Sequence, residues 1–244
     1  MEHAKRCGFG FVAALLLMVS PAFGANILIN GDFETGDFTG WSVASPLGGL
    51  GSFVVDDDDG VTPISSNPSV GPASGNFYAT SDQTGAGTNV LLQTFAISPS
   101  PAVILSFDMF VNDWSGAGPI IDPIGLDHTG PANQHARVDI LSAGASPLDT
   151  GAGVLATFYL GVDPFFTNPN PYTSYSFDIT SLVGVGGTFQ LRFAQVDNQL
   201  FLNQGVDNVS IDTVPEPRST ILFISGLLAL LTLRNIRPSL LRRK

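Results

Sequence analysis

The carboxylates are the first candidates for chemistry. Between Ala25 and Thr213 the chain carries eighteen Asp and one Glu against two Arg and no Lys, a formal charge of −17. Carboxylate oxygens suit calcium, which takes roughly six to eight oxygen ligands. The same surplus also gives a solvated, self-repelling surface that keeps a protein soluble and monomeric. The run Asp56 to Asp59 reads as a solvated loop of this kind. Nucleic acid and anionic membrane surfaces are poor partners, because their phosphates would be repelled. Two carboxylates flanking a glycosidic bond could hydrolyse it, yet nothing marks two of these Asp as special. Asp127-His128 has the composition of a proton relay, but no Gly-x-Ser-x-Gly elbow accompanies it. His135 falls on an alternating strand face and reads as a structural or surface residue. Trp114, Phe165, Phe166 and Tyr172 lie in long loops. Their rings could stack on sugars or could cap the ends of a core, and both readings stay open.

Strands must position these groups. Val103, Leu105, Phe107, Met109 and Val111 alternate with Ile104, Ser106, Asp108 and Phe110, the period of a half-buried strand. Ala136, Val138 and Ile140 do the same, as do Tyr175, Phe177 and Ile179, and Phe189, Leu191 and Phe193. Shorter candidates are 27–29, 40–44, 52–55, 77–80, 90–97, 154–160 and 206–211. Clusters of Gly, Pro, Asn and Asp separate them. No stretch between the ends combines helical period with helix-forming composition. About ten strands over residues 25–213 predict one all-β domain, a two-sheet β-sandwich of jelly-roll type. Its long loops, 56–75, 112–134 and 163–172, are where such a scaffold carries binding groups.

The two ends read differently. Lys5 and Arg6 precede the apolar run Phe9 to Val19, and Ala22-Phe23-Gly24 has the small-x-small form of a cleavage site. Residues 1–24 are thus expected to be a signal peptide that is removed on export. The single cysteine, Cys7, would go with it. A mature chain without cysteine excludes disulfides, zinc–thiolate sites and thiol catalysis. At the other end, Pro215-Glu216-Pro217 is followed by an uncharged apolar run, 219–233. A basic tail, 234–244, holds Arg234, Arg237, Arg242, Arg243 and Lys244. Fifteen residues at about 1.5 Å each reach roughly 22 Å, short of the ~30 Å hydrocarbon core. The clustered cations favour a cytoplasmic C-terminus for this transmembrane helix. This order closely resembles the PEP-CTERM sorting signal of exopolysaccharide-producing Gram-negative bacteria. The resemblance covers 214–244 and implies recognition and cutting by an exosortase-type membrane protease.

A second resemblance lies within the domain. Asn30-Gly31-Asp32-Phe33-Glu34 with Gly40-Trp41 looks like the opening strand of galactose-binding-like and related carbohydrate-binding-module jelly rolls. Gly205-Val206-Asp207-Asn208-Val209-Ser210-Ile211 looks like their closing strand. The resemblance implies a structural calcium ion (Ca2+) held in part by Glu34 and Asp207. Strand parity adds an argument. Asp207 shares parity with Val209 and Ile211, so its carboxylate is expected to point inward, where it needs a positive partner or its own backbone turn.

Three functions are consistent with these residues. The preferred one is a noncatalytic exported sandwich of the extracellular matrix or cell surface, membrane-anchored through its C-terminal span until processed. The others are a specific carbohydrate-binding module for exopolysaccharide, with Trp114 or Tyr172 as stacking platform, and a secreted glycan hydrolase.

Overall fold

The structure, a computed structural model, describes residues 24–57, 60–161 and 167–214. The expected signal peptide up to Phe23 and the sorting segment from Pro215 onward lie outside the described residues, as do Phe165 and Phe166. Eleven strands and one helical turn follow in order: β1 (Ala25–Asn26), β2 (Ser42–Ala44), β3 (Gly51–Asp56), β4 (Tyr78–Gln83), β5 (Gly87–Ile97), β6 (Ala102–Asp113), β7 (Gln134–Ser142), β8 (Val154–Gly161), β9 (Thr173–Asp178), α1 (Thr180–Val183), β10 (Gly187–Asp197) and β11 (Leu202–Val214). Among the described residues, no helix is long and apolar enough to cross a membrane.

The strands form two antiparallel sheets, β3-β4-β11-β6-β9 and β2-β5-β10-β7-β8, with β1 also paired to β11. The four-strand blocks β4-β11-β6-β9 and β5-β10-β7-β8 face each other, and the chain passes between them in jelly-roll order. Alternation in the sequence sets the inward faces. Leu105, Phe107 and Met109 of β6, Val138 and Ile140 of β7, and Leu191 and Phe193 of β10 all enter one core. Phe107 meets Phe193 edge-to-face at 5.3 Å, joining the two sheets. Each such side chain stabilises the fold by about 1.5–3 kcal/mol through burial.

The opening and closing motifs meet. Val209 N–H donates to Gly31 C=O at 2.8 Å. A Cβ on Gly31 would lie 2.0 Å from the Val209 carbonyl oxygen, so this approach needs glycine. The Trp41 indole donates to Asn30 C=O at 2.9 Å and closes the turn between them.

The parity expected of Asp207 is corrected. Val206, Val209 and Ile211 all enter the core, because a register shift lies between Asp207 and Ser210, with Asn208 at φ +51. One extra residue reverses which side chains face inward. Asp207 therefore lies on the outer side of its sheet, opposite Asp108. It is buried there by the β3–β4 connection, whose Ala73 and Ser74 amides meet it.

The strand registers also fix the ends of the molecule. Leu202 pairs with Asp113 at one end of β11, and Val214 with Ala102 at the other. β1 pairs at the Val214 end. The connections 45–50, 84–86, 114–133 and 198–201 all lie at the opposite end.

Candidate functional site

The loop-bearing end has a polar interior. Gln83, Asn89, Gln195 and Asp197 continue the inward parity of their strands but replace hydrophobic residues, and all are buried. Gln195 donates to Gln83 Oε1 at 2.9 Å, Asn89 donates to Gln195 Oε1 at 2.9 Å, and Gln83 donates to Asp197 Oδ2 at 2.6 Å. Asp197 also accepts the amides of Gln199, Leu200 and Leu202, which shapes the 198–201 turn. Burial raises its pKa, against the pull of those amides.

Trp114 stands at this end. Its indole N–H donates to Asn203 Oδ1 at 3.0 Å. Asn203 donates in turn to Ser81 C=O and to the buried Asp82. Next to it, Asp113 accepts from Ser115 N–H and Oγ, Gly116 N–H and Gly118 N–H. A chain of buried groups thus fixes the ring, which remains half-buried. Tyr172 is more committed to packing. Its hydroxyl donates to Gly71 C=O at 3.0 Å, and its ring meets Phe110 edge-on at 5.0 Å. Burial raises its pKa.

A second feature lies on the outer face of β7 and β10. Arg137 and Arg192, the two arginines of the span, share the carboxylate of Asp139. Arg137 places Nε at 2.7 Å and Nη2 at 2.9 Å on it. Arg192 places Nε at 2.9 Å and Nη2 at 2.5 Å, and Thr157 Oγ1 adds a bond at 2.7 Å. Each arginine also grips a loop. Arg137 donates to Ile124 C=O, and Arg192 donates to Pro147 and Asp149 C=O. Those two loops arrive from opposite ends of the sandwich. Together with Leu47 they wall a cleft of about 360 Å³ that includes Leu126, His128, Leu148 and Thr150.

His128 is 7% exposed. Its Nδ1 lies 3.2 Å from Thr88 Oγ1, whose one proton goes to Leu126 C=O at 2.7 Å. Thr88 can therefore only accept, so His128 carries its proton on Nδ1. Nε2 is buried and has no hydrogen-bond partner. Asp127 turns away from this ring, with Oδ1 on Thr129 N–H and Oγ1. No direct Asp127–His128 bond forms. His135 is fully buried, donating from Nδ1 toward Ile120 C=O. Burial pushes its pKa down to about 4.

The expected metal pair converges on one turn. Glu34 Oε1 accepts Asn76 and Phe77 N–H, and Oε2 accepts Asn76 Nδ2. These bonds lower its pKa. Asp207 Oδ2 accepts Ala73 and Ser74 N–H, and Oδ1 accepts Asn208 N–H. Burial nonetheless raises Asp207 to about 6. In this arrangement the oxygens face N–H donors, each of which takes a lone pair a cation would need. Among the described residues, no group of three or more His, Cys, Asp or Glu is placed to hold a metal ion. The sorting motif Pro215, Glu216 and Pro217 lies outside the described residues. Asp56, read as solvated, is buried and accepts from Tyr78 Oη at 2.8 Å.

Sequence reasoning missed the Arg137–Asp139–Arg192 cluster and the His128 cleft. The alternation of Arg137 and Asp139 with Val138 and Ile140 did signal an outward pair. That loops would bury that face was not visible.

No family model and no curated protein matches the sequence. Some solved structures are similar to this chain at low identity, each with a TM-score under 0.5. TmCBM61 in complex with β-1,4-galactotriose has a TM-score of 0.49 and 12% identity, over 78% of this chain and 99% of that one. The K3 cleaved adhesin domain of Lys-gingipain from Porphyromonas gingivalis W83 has 0.48 and 15%, over 79% and 99%. The enzymatically active domain of bacteriophage CBA120 tailspike protein 4 has 0.46 and 10%, over 78% of this chain and 21% of that one. What those names say of ligands and activities belongs to those proteins.

Proposed function

We propose that this chain is an exported, noncatalytic β-sandwich that binds polysaccharide at the cell surface or in the extracellular matrix, after sorting by an exosortase-type protease. One observation carries the saccharide reading. Trp114 is a half-buried indole at the loop end, fixed through Asn203 and Asp82, which leaves part of a rigid ring for stacking. Support for a noncatalytic role comes from the buried carboxylates. Asp82, Asp113, Asp139, Asp197 and Asp207 each accept three or more hydrogen bonds. These bonds tie each of them to the fold. The sorting reading rests on the order of Pro-Glu-Pro, apolar run and basic tail.

Retention on the organism's own exopolysaccharide tests this. The protein should be retained, and Trp114→Ala should reduce retention about tenfold, the loss of one stacking residue. Equal retention of both would remove Trp114 from the site. No retention of either would leave a purely structural matrix protein.

A calcium ion between Glu34 and Asp207 is the second reading, favoured by the closeness of both carboxylates to residues 73–77. It requires those amides to turn away. If calcium binds only the folded state, it raises the melting midpoint over that in chelator, and Asp207→Ala removes the rise. Identical midpoints in both buffers would exclude it.

A further inference from the structure

We infer that Ser65, in the connection between β3 and β4, is a positioning residue for the Trp114 indole and acts on it through Asp82 and Asn203. The inference rests on the polysaccharide reading only for the use of that ring. The linkage itself is measured at the indole, with no saccharide present.

The linkage starts at the indole N–H, which only donates. It meets Asn203 Oδ1 at 3.0 Å. The Asn203 amino group meets two acceptors, Ser81 C=O at 3.0 Å and Asp82 Oδ1 at 3.1 Å. Those acceptors decide which way round the carboxamide lies. Reversed, it would set oxygen against oxygen on the sheet and an amino group against the indole N–H. Asp82 is itself buried among donors. Its Oδ2 accepts Ile64 N–H at 2.6 Å and Ser65 N–H at 2.9 Å. Its Oδ1 accepts Ser65 Oγ–H at 2.6 Å and Gln83 N–H at 2.8 Å. With Asn203 these make five donors, and three of them come from Ile64 and Ser65.

The connection holds that turn in place. Thr62 N–H donates to Asn67 C=O at 2.8 Å, and Ser66 N–H donates to Thr62 C=O at 3.0 Å. Thr62 Oγ1 lies 3.0 Å from Ser65 Oγ, and because Ser65 gives its proton to Asp82, Thr62 is the donor of that pair. Further along, Tyr172 Oη donates to Gly71 C=O, Ala73 and Ser74 donate to Asp207, and Asn76 and Phe77 donate to Glu34. Residues 62–77 are therefore pinned over the outer face of β4 and β11, with the Ser65 turn at the Trp114 end. The indole takes its orientation from a turn 49 residues earlier in the chain. A ring held this way has less freedom to lose when a ligand stacks on it.

Indole proton–nitrogen spectra of the ¹⁵N-labelled full-length protein test the inference. The chain has two tryptophans, and Trp41, bonded to Asn30 C=O, is the internal control. Asp82→Asn leaves one acceptor oxygen to serve donors on both sides, so the Trp114 indole signal should shift and its proton exchange should quicken about tenfold. Ser65→Ala removes one donor from Asp82 and should move the same signal in the same direction by a smaller factor. Trp41 should not change in either protein. Ser65→Thr keeps the hydroxyl and should leave Trp114 as in the parent. A Trp114 signal unmoved by Ser65→Ala would overturn the inference even where Asp82→Asn fails to fold. Equal changes at Trp114 and Trp41 would also overturn it, because they report general loosening. So would a Ser65→Thr protein displaced as far as Ser65→Ala, since the hydroxyl would not be the link. Retention on exopolysaccharide is measured on the same proteins. The expected indole changes without retention of any of them would support the linkage and remove only the polysaccharide reading.

Discussion

An aspartate in this protein finds its partner mostly in the backbone. With no lysine between Ala25 and Thr213, the carboxylates of Asp82, Asp113, Asp197 and Asp207 accept loop amides instead. Each amide satisfied is a loop residue held in place. Two buried groups then oppose each other in pH dependence. Asp207 is raised from 3.8 to about 6 by burial, so between those values the folded state binds more protons than the unfolded state. Its share of stability is present at the acid side and falls as pH rises through that window. His135 is lowered from 6.5 to about 4 by burial. Between those values the unfolded state binds more protons, and stability rises with pH. The two slopes have opposite signs. Asp207→Asn should unmask the histidine, so that stability measured by urea unfolding climbs from pH 4 to 6 more steeply than in the parent. Parallel profiles for the two proteins would show that Asp207 does not titrate in this window.

At the level of strands and loops, the sequence was legible where the interior is apolar and not where it is polar. The alternations in β6, β7, β9 and β10 placed those strands because hydrophobic side chains mark the inward parity. The first residues of β5 and β11 and the last of β4 and β10 were invisible to that pattern. There the inward positions hold Asn89, Gln204, Gln83, Gln195 and Asp197, which read as loop composition but form a hydrogen-bonded layer. The parity of Asp207 failed for a related reason, since nothing in a period-two pattern announces an inserted residue. The loops show the same dependence on buried polar groups. Asp139 holds two arginines that each grip one loop, so Asp139→Asn leaves two buried guanidinium groups facing a neutral amide. Removing one partner of a buried pair costs about 3–5 kcal/mol. Thermal melting should show a clear fall in midpoint, and hydrogen exchange should rise in both 124–129 and 147–150. A change confined to one of those loops would mean that the arginines act independently.

The molecule as a whole is polar in direction. Both termini of the domain leave at one end, with Ala25 paired to Thr213, and Trp114 and the His128 cleft lie toward the other. The processing reading makes a prediction here. Intact mass from a host with the sorting enzyme should show loss of 1–24 and of the basic tail. A mature protein that retained the whole apolar segment would leave a plain tail anchor. The segments that carry this reading were plain in the sequence, because hydropathy and charge order are local properties. The cleft was not, because it is made by loops that converge only after folding.

The placement of β11 has a mechanical consequence. This strand runs from the loop-bearing end at Leu202 to the terminal end at Val214, thirteen residues or roughly 40 Å. Suppose the chain is held beyond Val214 and pulled through its loop end. The load then runs lengthwise along β11, whose hydrogen bonds to β6 lie across the strand. Bonds in that orientation are strained together rather than peeled one after another. Under traction the strand nearest the attachment would have to slide past its neighbour as a unit, so the domain should withstand pulling from its terminal end far better than unzipping from its edge strand β9.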